Sequence, residues 1–275
     1  PAAKELARVV SGKSLWEAVV TVPTHRRERG DDSLPFTLAL NSDLRGMAVR
    51  LPAPLGKTAD EARPLTIHLR PRERDVVDLM LDDGEGVRAA LELADFPRDP
   101  RLARGELRIN AGAAKLPEAP GLTVVAELPR WELTGFPADL EDAASPWRGL
   151  HRLEAHIGEL MLGRQVVANV ALNAVRREED VQIEFDGETL AGRVTLPDTP
   201  SPEQPVNVAL QRLHLRQAAK SALSNSQDTG AAIPNPRQMP PLALAVTDLR
   251  WNGAELGRLR LVAMPNAGGI RLREL

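Results

Sequence analysis

The sequence contains no cysteine among its 275 residues, which excludes a disulfide framework, a thiolate metal site and a cysteine nucleophile. Tyrosine is also absent, and aromatic residues make up only 3% of the chain, which argues weakly against a sugar-binding or base-stacking surface. The net charge is only −3 although 27% of the residues are charged, so the chain carries no electrostatic footprint for nucleic acid.

Long hydrophobic runs are missing as well. The best apolar stretch, Val166 to Leu172, is far shorter than the roughly 20 residues that a transmembrane helix needs. The chain opens with Pro1 and shows no signal-peptide pattern. We therefore expect a piece of a longer protein whose anchor or export signal lies outside this chain.

The dominant pattern is period-two alternation of apolar and polar residues in short runs, which is typical of antiparallel strands with one dry face. The clearest apolar series are Trp16-Ala18-Val20-Val22, Phe36-Leu38-Leu40, Leu65-Ile67-Leu69, Val77-Leu79-Leu81, Val87-Ala89-Leu91-Leu93, Leu122-Val124-Ala126-Leu128, Val166-Ala168-Val170-Leu172, Val181-Ile183-Phe185, Leu190-Gly192-Val194-Leu196, Val206-Val208-Leu210 and Leu242-Leu244-Val246.

Turn dipeptides separate these runs. Asp83-Gly84, Asp186-Gly187 and Asn252-Gly253 each stand between two alternating runs and predict hairpins. Few helices are expected: short ones near 3–10, 139–144 and 217–223, with a long exposed Pro- and Ser-rich loop at 224–241. The chain is thus predicted to be all-β: one continuous segment over 1–275, built as a repetitive, mostly antiparallel, curved open sheet.

A weak internal repeat supports growth of the sheet in one dimension. The segment from Leu150 to Leu160 resembles the segment from Leu244 to Leu256. Chance similarity between two amphipathic hairpins is the alternative explanation.

Residues for catalysis do not converge. The five histidines, His25, His68, His151, His156 and His214, are scattered, and His151 and His156 should point to opposite faces of a strand. The acidic clusters at 141–142 and 178–180 are typical of solvated turns. No phosphate-binding glycine loop and no nucleophile elbow is present. We expect no catalytic residue, no metal site, no cofactor and no enzymatic activity.

Several phrases resemble the YhdP branch of the AsmA-like superfamily. The most specific are Ser42-Asp-Leu-Arg-Gly-Met-Ala-Val-Arg-Leu-Pro-Ala-Pro-Leu-Gly-Lys57 and Pro240-Pro-Leu-Ala-Leu-Ala-Val-Thr-Asp-Leu-Arg-Trp-Asn-Gly-Ala-Glu-Leu-Gly257. Weaker ones are Gly12-Lys-Ser-Leu-Trp16, Gly192-Arg-Val-Thr-Leu-Pro197 and Val208-Ala-Leu-Gln-Arg-Leu-His-Leu215. The similarity runs over nearly the whole chain.

The resemblance implies a periplasmic protein of Gram-negative bacteria, anchored in the inner membrane, with a long taco-like β-groove that moves phospholipids toward the outer membrane. The anchor is not in this sequence, so contact with either membrane would come from missing parts of the chain or from other proteins. The expected partners are phospholipid acyl chains. The residues expected to line the groove are Leu122, Val124, Leu128, Val166, Val170, Leu172, Val181, Ile183, Phe185, Val206, Val208, Leu210, Leu242, Leu244 and Val246.

Two alternatives remain at this point. A closed β-sandwich would show the same alternation, with its apolar faces pressed against each other. A periplasmic scaffold or adaptor for outer-membrane biogenesis would bind envelope proteins through exposed strand edges.

Overall fold

A computed structural model describes residues 9–22, 36–50, 55–72, 75–132, 149–162, 165–215, 240–266 and 269–273. The predicted helices at 139–144 and 217–223 lie outside these ranges. So do positions 3–8 of the first predicted helix and 224–239 of the predicted loop. Val10, at the end of that helix prediction, begins a strand instead.

The described chain is almost entirely β-structure. Its strands are, in chain order, β1 Val10–Gly12, β2 Glu17–Thr21, β3 Thr37–Ser42, β4 Met47–Val49, β5 Leu65–Pro71, β6 Val77–Asp82, β7 Val87–Ala94, β8 Arg101–Ile109, β9 Gly121–Glu132, β10 Leu150–Leu162, β11 Gln165–Arg176, β12 Asp180–Asp186, β13 Leu190–Pro197, β14 Val206–Leu215, β15 Leu242–Trp251, β16 Ala254–Asn266 and β17 Gly269–Arg273.

Fifteen of these strands follow one hydrogen-bonded order that starts at β2 and ends at β17 without closing, while β1 and β4 pair separately. The prediction of an all-β, mostly antiparallel open sheet is confirmed. The chain divides into two compact units, Pro1–Glu127 and Leu128–Leu275, so β9 contributes residues to both.

In the first unit, the strand order is β2-β3-β5-β6-β7-β8-β9. Neighbours are antiparallel except β8 and β9, which run parallel and are joined by a crossover over residues 110–120. The predicted turn at Asp83-Gly84 joins β6 to β7 as a hairpin. The Asp83 carboxylate accepts hydrogen bonds from the N–H groups of Glu85, Gly86 and Val87, which fixes this turn.

The segment that ends in Lys57 builds a small module beside this sheet, where β1 pairs with β4. Lys57 is only 6% exposed. Its ammonium donates to the carbonyl oxygens of Leu44 (3.0 Å), Met47 (2.5 Å) and Thr58 (2.8 Å). One buried ammonium therefore donates to three backbone carbonyls, which satisfies its own three N–H groups and ties together the segments that carry them.

In the second unit, β10 to β17 follow one another in chain order, and only β14 and β15 pair in parallel. The predicted hairpins at Asp186-Gly187 and Asn252-Gly253 join β12 to β13 and β15 to β16. The sheet is strongly curved here, because Cα atoms of β11 and β14 come within 8 Å although β12 and β13 lie between them. Three flat strand spacings would separate them by about 14 Å.

Bulges interrupt the second unit in two adjacent strands. Gln211 of β14 has no partner on β13, because Ala191 pairs with Arg212 while Gly192 pairs with Leu210. In β15, two residues between Val246 and Leu249 oppose one residue of β16. The two bulges lie side by side, and β14 and β15 keep the same register with each other on both sides of them. The side-chain alternation therefore changes at the same place in both strands.

Candidate functional site

The strand register sorts the side chains of the first unit onto two faces, because partners directly opposite each other share a face. One of these, called here the first apolar face, carries Ala18, Val20, Leu38, Leu40, Leu65, Ile67, Leu69, Val77, Leu79, Leu81, Val87, Ala89, Leu91, Leu93, Leu107, Ile109, Leu122, Val124 and Ala126.

The leucines of the first apolar face are only half-buried. Leu69, Leu79 and Leu91 stand opposite one another on β5, β6 and β7, and none of the three is fully buried. Leucines in a two-layer core are usually buried completely. The other sheet described in this unit, β1 with β4, has two strands of only three residues each, too few to cover a face that spans seven strands. The observation favours an accessible apolar surface over a sandwich interior.

The crossover from β8 to β9 lies on the opposite, polar face. Arg104 Nη1 donates to the carbonyl oxygen of Pro117 (3.2 Å), and Arg108 Nη1 donates to that of Ala111 (2.9 Å). The N–H of Lys115 donates to Glu106 Oε2 (2.7 Å). Because the connection is held on the polar side, it leaves the first apolar face uncovered.

Ion pairs stabilise that polar face. Glu92 lies between Arg104 and Arg72, at 2.8 Å from a guanidinium nitrogen of each. The hydrogen bond from Arg104, with the further contact to Arg72, holds the pKa of Glu92 below its usual range despite partial desolvation. Desolvation instead raises the pKa of neighbouring Asp78, because its contact with Arg72 is longer, at 3.6 Å.

A concavity of about 570 Å³ also lies on this polar side, between β5, β6, β7 and the crossover. Thr66, His68, Met80, Asp82 and Ala114 contribute to its mixed lining. Its polar groups do not suit a hydrocarbon ligand, whereas the first apolar face offers only aliphatic side chains.

The second unit has an equivalent surface, called here the second apolar face. Register across its strands places together Ala155, Ile157, Val170, Leu172, Ala174, Val181, Ile183, Phe185, Val194, Leu196, Val206, Val208, Leu210, Leu242, Leu244, Val246, Leu259, Leu261 and Ala263. Beyond the bulges, Leu213 and Leu249 continue it as paired residues.

The residues predicted to line a groove fall into two groups in this unit. Val170, Leu172, Val181, Val206, Leu210 and Val246 are fully buried. Ile183, Phe185, Val208, Leu242 and Leu244 are half-buried. The second group has surface left for a ligand to contact, whereas the first group has almost none. Of the remaining predicted residues, Leu122 and Val124 lie on the first apolar face and Leu128 is half-buried on β9.

Val166 departs from the alternation that the sequence indicates. It is 39% exposed, whereas its neighbour Val167 is 1% exposed. The cause is Asn169, whose backbone is in the left-handed region with φ of +51°. The ladder between β10 and β11 has no paired residues at this point, so the pleat changes between Val167 and Val170. Sequence reasoning also left the leucines of β3, β5, β6 and β7 out of the lining residues, although their alternation was visible.

Groups capable of chemistry stay apart within the described ranges. No cluster of three or more histidine or carboxylate side chains there could hold a metal ion. His214 Nε2 lies 2.8 Å from Asp248 Oδ2, and this contact, together with Arg250, keeps the pKa of Asp248 below its usual range. His151 and His156 are both exposed on β10. The acidic pair at 141–142 lies outside the described residues.

No helix in the described parts of the chain is long and apolar enough to cross a bilayer. Comparison with curated proteins and with solved structures finds no match. A family model described as YhdP protein does match, over residues 2–275. The chain therefore belongs to the YhdP family, an envelope-associated, AsmA-like family of the lipid-transport type.

Proposed function

We propose that this chain conducts phospholipids without catalysis, by holding their acyl chains against its two apolar faces while the head groups stay in water. The observation that carries the proposal is the first apolar face: a continuous aliphatic surface across seven strands whose leucines are half-buried. In the periplasm, such a surface would lie on the route between the inner and outer membranes. The inner-membrane anchor and the contacts at both ends belong to the longer protein in this proposal.

The energetics favour a surface of this kind. Each methylene group that leaves a bilayer for water costs about 0.8 kcal/mol, so an acyl chain resists transfer by roughly 10 kcal/mol or more. Contact with leucine, valine and isoleucine offsets much of that cost at every position. These side chains also form no hydrogen bonds that would hold a sliding chain in one place.

The dimensions of the first apolar face fit an acyl chain. Its rows run perpendicular to the strands, as in Leu38, Leu69, Leu79 and Leu91. Seven strands give six spacings, or about 29 Å. One leaflet of hydrocarbon is about 15 Å thick, so an extended chain covers about three spacings.

Photo-crosslinking tests the proposal directly. Leu79 and Met80 are consecutive residues on β6 and lie on opposite faces. A photoreactive amino acid at position 79 should form adducts with phospholipid, whereas the same residue at position 80 should form few. Adducts of equal yield at both positions would show that lipid does not prefer the apolar face. Native mass spectrometry with lipid analysis of the unmodified chain should also detect bound phospholipid.

A second candidate function is the adaptor that docks proteins through strand edges, and β2 favours it. This strand ends the sheet order, and all its residues are exposed. Val19 is 47% and Val20 60% exposed, on opposite faces. An exposed edge strand whose one charged residue, Glu17, stands at its start pairs readily with another strand. Val19→Lys places a charge on this edge. If the variant no longer binds an envelope protein that the wild type binds, while its lipid binding is unchanged, the second function is supported.

A further inference from the structure

One charged side chain interrupts the second apolar face. Arg176 ends β11 directly opposite Val181, which is itself paired with Leu196. All other residues at equivalent positions of β12, β13 and β14 on this face are apolar or glycine. A guanidinium at an apolar surface costs free energy unless something binds it, so its presence requires a reason.

The contacts of Arg176 are incomplete. Its Nη2 atom lies 2.5 Å from Asp198 Oδ2, in the segment that follows β13. Its side chain is 18% exposed, and that of Asp198 is 41% exposed. The Nη1 atom of Arg176 is shielded from water and has no acceptor. A planar guanidinium binds phosphate through two parallel N–H groups, so an oxygen supplied by a ligand would satisfy this donor after a small rotation of the side chain.

The position suits a head group. Arg176 and Asp198 lie at the strand ends, beyond which the chain turns through exposed Glu178 and Glu179. Ile183 and Val194 pair with each other and are half-buried. They lie two residues, or about 7 Å, along the strands from the level of Arg176 and Val181. A lipid tail resting on Ile183 and Val194 would leave its head group beside the ion pair.

We propose that Arg176 and Asp198 form a head-group subsite for phospholipids that carry both a phosphate and a primary ammonium group. The guanidinium binds the phosphate, and the Asp198 carboxylate, with Glu178 and Glu179 nearby, binds the ammonium. A cation and an anion side by side complement a zwitterion, whereas a purely anionic head group would meet Asp198 unfavourably. This inference rests on the proposed function, because it assumes that the tail occupies the second apolar face.

The chain supplies a matched control on the opposite face. Arg193 and Glu184 form an ion pair of the same 2.5 Å length between β13 and β12. Both are more exposed, at 56% and 50%. Their removal changes the charge as removal of Arg176 or Asp198 does, but away from the apolar surface.

Binding of single-chain probes tests the subsite. Lysophosphatidylethanolamine, lysophosphatidylglycerol and a fatty alcohol of equal length are titrated against the full chain and followed by native mass spectrometry. Arg176→Gln should weaken both lysophospholipids by about tenfold and leave the alcohol unchanged. Asp198→Asn should weaken only the ethanolamine lipid. Arg193→Gln and Glu184→Gln should bind all three probes as the wild type does. Arg176→Lys keeps the positive charge and should bind the lysophospholipids more tightly than Arg176→Gln, though less tightly than the wild type.

The two failures are distinguishable. If the wild-type chain binds neither the alcohol nor the lysophospholipids, the proposed function fails. If it binds the probes but Arg176→Gln and Asp198→Asn, both folded by circular dichroism, bind lysophosphatidylethanolamine as tightly as the wild type, the head-group subsite is wrong while the conduction proposal stands.

Discussion

Replacement of Leu79 by glutamine separates conduction along the first apolar face from ordinary packing. Leu79 is half-buried in a row with Leu69 and Leu91, so the loss of its burial costs folding about 1 kcal/mol, roughly half the value for a fully buried leucine. Met80, the next residue, is 46% exposed on the polar face, and Met80→Gln should cost a similar amount or less. The two variants are therefore matched in stability and differ in the face that they change.

The effect on lipid should differ strongly. An amide in the path of a hydrocarbon chain loses hydrogen bonds to water, at about 1–3 kcal/mol. Leu79→Gln should thus slow transfer by roughly 5- to 150-fold, and Met80→Gln should not slow it. Substitution of Leu81 as well places polar groups in both of the half-buried rows that cross β6, which prevents a tail from passing beside position 79; the third row crosses β6 at Val77, which is buried.

The assay is transfer of a tail-labelled phospholipid from donor to acceptor vesicles by the purified chain, with thermal unfolding measured in parallel. Equal transfer rates for the wild type, Leu79→Gln, the double variant and Met80→Gln, at unchanged folding, would refute conduction along this face.

Three further predictions concern stability. Glu92→Gln should destabilise the chain by about 2 kcal/mol in urea denaturation at pH 7, because the variant loses the negative charge and one of the two acceptor oxygens that Arg72 and Arg104 share. Since the pKa of Glu92 is lowered, this contribution is present above the unfolded value near 4.5 and is lost as the pH falls through the lower folded pKa. The wild type and the variant should therefore converge in acid, and a constant difference across that range would contradict the assignment. Lys57→Met should lower the free energy of unfolding by about 2–4 kcal/mol in the same measurement, since three carbonyls lose the donor that they share. A decrease of less than about 0.5 kcal/mol would show that water replaces the ammonium. Asn169→Ala should lower the free energy of unfolding by about 1 kcal/mol, whereas Asn169→Gly should stay close to the wild type, because only glycine enters the left-handed region freely. An equal decrease in both variants would show that the asparagine side chain, and not its backbone conformation, is what stabilises this position.

Alternation allowed most strands to be predicted because it is a local property. Val77, Leu79 and Leu81 identify β6 and its dry face without knowledge of any partner. The same reasoning failed at Val166, where one left-handed residue, Asn169, changes the pleat. Asparagine adopts this conformation only occasionally, so its presence in a strand is a weak signal.

Other features depend on distant segments. The parallel pairs β8–β9 and β14–β15 join strands whose alternation looks like that of antiparallel neighbours. Burial was equally unpredictable: Val170 is completely buried, so a charge there would unfold the chain before it tested transport, whereas nearby Ile183 remains half-buried. Arg176 was not singled out from the sequence, because its place on the apolar side follows from pairing with Val181.

The coupled bulges of β14 and β15 constrain how this sequence can change length. Deletion of Gln211 alone would leave Leu213 two residues from Leu210 and on the same face, but it would put the rest of β14 one residue out of step with β15, which keeps its own extra residue. Removal of one residue from each strand at the same level would keep the two in step. Single-residue losses or gains in relatives of this chain should therefore occur as compensating pairs in these two strands, and a lone one should be rare.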